Sequence, residues 1–208
     1  MLSSTIFTNV GIGDPAMHMY DQAKHGPVDA IKGDYIADAN LANHAVEIKY
    51  STGPGWVPTA WNGLQQTFKI DGEKRNKIVI NGGAINPRGL AEETHKFGKE
   101  NGIYLTVAYV DGDNAIHKAQ RIPADIKSGA LTHLDGHNEN VYLVKDSLEF
   151  LDHPETMLVV CANAYLGHRA VKAGLDQGAD IMEWHSYWNR EIDQALACVN
   201  GSTGSYLE

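Results

Sequence analysis

The chain has 208 residues, 43% of them hydrophobic, which is enough for one well-buried domain. The net charge is -9 and the pI about 5.5, and the sequence has no basic run that could bind phosphates. A nucleic-acid partner is therefore not expected. No signal peptide or segment of transmembrane length is visible, and two cysteines make no disulfide framework. We therefore expect one cytoplasmic domain over residues 1–208, bound to no membrane, with a loose tail from about residue 198.

Short apolar strands alternate with helical patterns along the chain. Strands are predicted at 5–10, 28–31, 78–80, 103–110 and 157–161, with weaker candidates at 141–144 and 180–182. Helices are predicted at 17–24, 36–48, from 58, from 86, at 165–177 and at 189–197, with irregular structure over 121–140. The alternation predicts an α/β fold, a mostly parallel open sheet flanked by helices in a Rossmann-like three-layer arrangement. The strand at 103–110 is interpreted as buried on both faces.

The segment from 77 to 94 is the most informative strand, turn and helix. Gly82 and Gly83 end its apolar strand, and Asn86 and Pro87 suit the cap and first turn of a helix. Gly102 follows the expected end of that helix, where a left-handed cap is favoured. Such a turn lies at the carboxyl edge of a parallel sheet, where ligands bind. Gly-Gly and Asn-Pro pairs are also common in purely structural turns.

Polar side chains follow each predicted strand, and in a parallel sheet these turns converge on one edge. Several carboxylates there can raise a pKa and supply a general acid or base, although Asp and Asn are also ordinary turn residues. The candidate catalytic residues are Asp14, Asp34, Asn81, Asp111, Asn163 and His185. The candidate substrate-binding residues are Tyr35, Asp38, Asn86, Arg88, Asp113, Tyr165, Trp184 and Trp188. The tail indoles are expected to wall an apolar pocket, whereas Trp61 has the helical spacing of a core residue.

Sequence signatures of nucleotide and metal sites are weak or missing. No G-x-G-x-x-G opens a helix after a strand, and there is no Walker-type loop and no G-x-S-x-G elbow. His133, Asp135 and His137 form a possible but incomplete set of metal ligands in a glycine-containing loop. We therefore expect neither a cofactor nor a metal.

Four segments resemble the acyclic terpene utilisation family. They are GDYIADANLANHA, KIVINGGAINPRGLAEE, VAYVDGDN and ANAYLGHRAVKAGLDQGADI, in that order, within a resemblance from about residue 10 to 181. The resemblance implies a terpenoid type of substrate more than a defined reaction. Two departures are expected to matter. Met182-Glu183-Trp184-His185 stands where family members carry a Gly-Arg-x-x-Asp-Ala-Ser segment, and the family's long C-terminal half does not follow.

Three functions are compatible with these patterns. The first is a cofactor-independent enzyme of secondary metabolism that acts on an apolar terpenoid-like small molecule in a shaped pocket, by cyclisation or cycloaddition, isomerisation or dehydration. The second, from the family context, is a hydratase or hydrolase in terpenoid acyl-CoA catabolism, against which no basic patch for coenzyme A phosphates is visible. The third is a non-catalytic remnant or partner subunit. A homodimer or higher oligomer is expected, because a missing half would leave apolar surface uncovered. The substrate, the reaction and the strand order stay open.

Overall fold

The structure, a computed structural model, describes residues 7–11, 13–118, 121–132, 140, 159–164 and 166–184. The chain forms two compact units, one made of Met1–Asp113 with Tyr165–Glu208 and one of Asn114–Ala164. The single domain expected from the sequence stays a prediction, and its tail lies outside the described residues. No helix in the described ranges is long and apolar enough to cross a membrane.

In the part of the first unit that the structure describes, the strands form a five-stranded sheet. Its strands are β1 (Phe7–Gly11), β2 (Ala30–Asp34), β3 (Lys77–Ile80), β4 (Val107–Tyr109) and β5 (Ile181–Glu183). Their order is β1-β2-β3-β5-β4, and every neighbouring pair is parallel. This confirms the predicted α/β fold with a parallel sheet. The last strand of the described residues, β5, therefore lies inside the sheet, between β3 and β4.

Helices connect and cover the strands. In the first unit they are α1 (Met17–His25), α2 (Asp38–Tyr50), α3 (Pro58–Lys74), α4 (Pro87–Glu100) and α6 (Arg169–Asp176). The second unit contains a 3-10 helix (Ile116–Lys118) and α5 (Ile122–Lys127). The predicted start of α4 is confirmed, because the Asn86 side chain accepts a hydrogen bond from the Gly89 backbone N–H at 3.0 Å.

The two faces of the sheet bury different sets of side chains. On β3, Ile78 and Ile80 belong to a cluster with residues of α1, α3 and α4, whereas Val79 belongs to a cluster with residues of α6. The alternation follows from the two-residue period of a strand. Trp61 packs partly buried against the first cluster and meets Phe97 edge to face, with ring centroids 5.6 Å apart, as a core residue does. The result is a three-layer arrangement.

Some predicted elements are wrong. The strand expected at 103–110 is only the three residues of β4 at the sheet edge, where Tyr109 is 39% exposed, so it is not buried on both faces. It starts late because the Ile103 N–H still closes the end of α4 by donating to the Gly98 carbonyl at 2.9 Å. Residues 159–161 are not in a strand, and α6 begins at Arg169 rather than 165. The elements expected at 141–144 and 189–197 lie outside the described residues.

Candidate functional site

The carboxyl ends of the parallel strands form one polar edge of the sheet. The register pairs Gly33 with Ile80, and both Ile80 and Tyr109 with Glu183. Asp34 is the last residue of β2, and Asn81 directly follows β3. The predicted placement of these two residues at this edge is therefore confirmed. The sheet brings them to the same edge as Glu183, which is not among the candidates predicted from the sequence.

The Asn81 side chain ties the loop after β2 to β3. Its Oδ1 accepts a hydrogen bond from the Tyr35 backbone N–H at 2.6 Å, and its Nδ2 donates to Asp34 Oδ1 at 2.9 Å. Its own backbone N–H donates to the Gly33 carbonyl at 3.2 Å. Because Asn81 is only 2% exposed, these bonds are shielded from water. One amide thus fixes the position of both Asp34 and the start of the following loop.

The Tyr35 ring packs directly over Gly33. A Cβ at position 33 would lie 2.5 Å from Tyr35 Cε2 and 2.6 Å from Ile80 Cγ2, so only glycine leaves room for this packing. Tyr35 is 2% exposed. Burial raises the pKa of its phenol above the usual value, and the nearby Glu183 and Asp14 carboxylates raise it further. The phenol therefore stays protonated at neutral pH and can act as a hydrogen-bond donor.

Glu183 is an acid in strongly apolar surroundings. It is fully buried at the end of β5, and neither carboxyl oxygen has a hydrogen-bond partner in the described part of the chain. Burial raises its pKa well above the ordinary value, and the nearby Gly83 backbone N–H, which makes no regular hydrogen bond to either oxygen, opposes this shift by less. The carboxyl is therefore held in its neutral form well above the pH at which an exposed glutamate ionises.

Such a carboxyl is suited to proton transfer. A carboxyl with a raised pKa keeps its proton at a pH where an ordinary glutamate has lost it, so it can act as a general acid, and the carboxylate that it leaves is a stronger base than an ordinary one. The sequence contained one signal for this role. Glu183 is the acid in the Met182-Glu183-Trp184 stretch that departs from the family pattern. The weak strand predicted at 180–182 is confirmed as β5, but nothing local showed that this strand lies inside the sheet.

Other predicted residues at this edge have structural partners. Asn86 caps α4 and also donates to the Pro54 carbonyl at 3.0 Å, and Arg88 forms an ion pair with Glu92 at 2.8 Å. Asp111 is exposed and its Oδ1 accepts from the Gly112 N–H at 2.6 Å. These contacts give each residue a structural role. The roles predicted for them in binding or catalysis stay predictions.

Asp14, Asp38 and Asp113 differ in exposure. Asp14 is half-exposed after β1, with His18 Nδ1 at 3.9 Å from its Oδ1, and it acts electrostatically on Tyr35. Asp38 is exposed in the first turn of α2. Asp113 is only 5% exposed and is the residue at which the first segment of the first unit, Met1–Asp113, ends. Their predicted roles are likewise untested.

Two predicted positions differ from expectation. Asn163 follows no strand of the parallel sheet but forms an isolated antiparallel bridge with Asn114 in the second unit, so its predicted placement is wrong. The reason is that residues 159–161 form no strand. Trp184 is 1% exposed within the cluster covered by α6, and its indole N–H has no partner among the described residues. It is therefore a core residue here, and its contact with substrate stays a prediction.

The remaining candidates lie outside the described residues. They are Tyr165, His185 and Trp188, together with the possible metal ligands His133, Asp135 and His137. Within the described ranges, no group of three or more His, Cys, Asp or Glu side chains is arranged to hold a metal ion. The expectation that the protein uses no metal and no cofactor stays a prediction.

These features define a three-layer α/β protein with a candidate acid–base site at the carboxyl edge of its parallel sheet. The chain matches the model of the acyclic terpene utilisation family protein AtuA over residues 8–182, and it belongs to that family. The resemblance seen in the sequence is thereby confirmed. No curated protein and no solved structure matches the chain. Family membership points to a role in terpene utilisation, and the reaction has to be argued from the site.

Proposed function

We propose that this protein is an enzyme that catalyses proton transfer on an apolar, terpenoid-like small molecule, leading to isomerisation, cyclisation or dehydration. The observation that supports this most directly is Glu183, a fully buried carboxyl without a hydrogen-bond partner among the described residues, at the edge where parallel sheets bind ligands. An apolar substrate suits such a site, since it does not require the carboxyl to be solvated.

Glu183 serves as acid and then as base. In an isomerisation, its proton passes to one carbon of a double bond, and the resulting carboxylate removes a proton from the carbon next to the cation. In a dehydration, the proton passes to a hydroxyl that leaves as water, and the carboxylate again removes a neighbouring proton. Either way the carboxyl ends as it began, with no net oxidation and no co-reactant.

Tyr35 and Asn81 support this chemistry in different ways. The Tyr35 phenol is protonated at neutral pH, and burial shifts its pKa still further from that range, so as a hydrogen-bond donor it can hold an oxygen of the substrate near Glu183. Asn81 is a positioning residue, since its bonds to the Tyr35 backbone and to Asp34 hold the loop that carries the phenol. Replacing Asn81 or Asp34 should lower turnover more than substrate binding.

The charge of the edge argues against an acyl-CoA substrate. Coenzyme A carries several phosphates, which proteins bind with Lys, Arg or backbone N–H groups. Asp14, Asp34 and Asp111 follow strands at this edge, and the one predicted cation, Arg88, already pairs with Glu92. A hydratase or hydrolase in acyl-CoA breakdown is therefore the less favoured function. If no turnover is found, the remaining function is that of a non-catalytic partner subunit.

The experiment is a conversion assay on purified protein dialysed against a chelator. The protein is incubated with a panel of acyclic terpenoid alcohols, aldehydes and acids, without nucleotide or coenzyme A. The products are separated by chromatography and their masses are measured by mass spectrometry. The proposal predicts a product of unchanged mass or one that has lost water. A product that has gained water, or turnover only with coenzyme A thioesters, supports the hydratase instead. Recovery of activity only after adding a metal overturns the metal-free part and directs attention to the His133 loop.

A further inference from the structure

A cleft lies at the amino edge of the sheet in the first unit, opposite the Glu183 edge. It has a volume of about 560 Å³ and lies between the C-terminal half of α4 and the segment leading into β4. This size is within the range of small-molecule sites. An adjoining cavity of about 540 Å³ shares three of its lining residues, Phe68, Ile103 and Tyr104. Neither cavity is lined by a residue of the Glu183 edge.

The charge of this cleft differs from that of the whole protein. His95 and Lys99 line it one helical turn apart on α4, and no acidic residue lies among its described lining residues. Neither side chain makes an ion pair or a hydrogen bond with the described part of the chain. In a chain of net charge -9, a lining with basic and without acidic groups favours a negatively charged ligand.

The remaining lining is mostly apolar. It includes Ile103, Leu105 and Val107, with Tyr104 standing 80% exposed at the rim. The floor is close-packed at Gly98, where a Cβ would lie 2.8 Å from Phe68 Cε1 and 2.7 Å from the Ile103 carbonyl oxygen. The cleft therefore offers an apolar wall beside the unpaired ammonium group of Lys99, the combination that an apolar chain ending in a carboxylate requires.

We propose that this cleft binds an apolar carboxylate, with its chain against Ile103 and Tyr104 and its carboxylate at Lys99. The site is separate from the proposed proton-transfer site. The cleft should bind a fatty-acid-like ligand more tightly than a neutral alcohol of the same length, because only the carboxylate pairs with the free ammonium group of Lys99.

The test compares decanoate with decan-1-ol as probes on the full chain, by calorimetry and by amide chemical shifts. Decanoate should bind saturably below its aggregation concentration and shift amides of residues 98–107, and decan-1-ol should bind more weakly. Lys99→Gln should weaken decanoate about threefold to fivefold, the effect of an exposed ion pair, and leave decan-1-ol unchanged. Tyr104→Ser should weaken both probes alike.

Lys96→Gln is the matched control, because Lys96 lies on the same helix, pairs with Glu93 at 3.7 Å and does not line the cleft. It removes the same charge and should leave decanoate binding unchanged. Equal affinity for the acid and the alcohol, equal effects of Lys99→Gln and Lys96→Gln, or shifts away from residues 98–107 would each overturn the proposal. No saturable binding of decanoate would overturn it as well.

Discussion

Replacing Glu183 with glutamine should make the protein less sensitive to rising pH. The native carboxyl has a pKa well above its ordinary value of 4.5, whereas the unfolded chain titrates near that value. Between the two pKa values the folded state binds one more proton than the unfolded state, so the free energy of unfolding falls as pH rises. Within this window, each rise of one pH unit lowers the parent's free energy of unfolding by about 1.4 kcal/mol. Glu183→Gln has no ionisable group at this position, so it does not lose this stability.

Urea denaturation of both proteins at successive pH values above the ordinary glutamate value of 4.5 measures this difference. The free energy of unfolding of Glu183→Gln, relative to that of the parent, should rise by about 1.4 kcal/mol per pH unit until the native carboxyl ionises. Asp71, whose pKa burial raises to about 6, contributes a slope of the same sign but is present in both proteins and cancels. Parallel curves would show that Glu183 titrates normally, and the reasoning about its proton would be refuted.

Three further predictions concern packing, charge and assembly. Gly33→Ala should lower the free energy of unfolding by about 1–3 kcal/mol in urea, because the new Cβ meets the Tyr35 ring at 2.5 Å; an unchanged midpoint would contradict this packing. Asp180→Asn should cost about 1–3 kcal/mol in the same assay, because the nearly buried carboxylate pairs with Lys77 at 3.1 Å; a loss below about 0.3 kcal/mol would contradict it. Light scattering should give a mass above the 22.7 kDa of one chain, since apolar residues such as Tyr50, 65% exposed, stand on the surface; a monomer at high concentration would count against association.

Much of the fold could be predicted from local patterns. The apolar run before Gly82 and the Asn86-Pro87 cap specified β3, its turn and α4, because each signal acts within a few residues. The placement of Asp34 and Asn81 followed from the rule that parallel strands present their carboxyl ends at one edge.

The missing part of the site depends on long-range pairing. β5 has three residues and lies between β3 and β4, which precede it by about seventy residues or more in the chain. No local pattern determines that order, so the burial of Glu183 was not visible in the sequence. For the same reason the edge position of β4 was missed, since its apolar residues resemble those of an interior strand.

The most direct test of the account measures kcat/KM of Glu183→Gln on the terpenoid that the parent converts. Glu100→Gln is the control, because Glu100 is an exposed acid at the end of α4, away from the polar edge. If Glu183 transfers the proton, its replacement should lower kcat/KM by about a hundredfold to ten-thousandfold, while the control stays at the parent value. A Glu183→Gln enzyme within about threefold of the parent would contradict the claim that this carboxyl carries the chemistry.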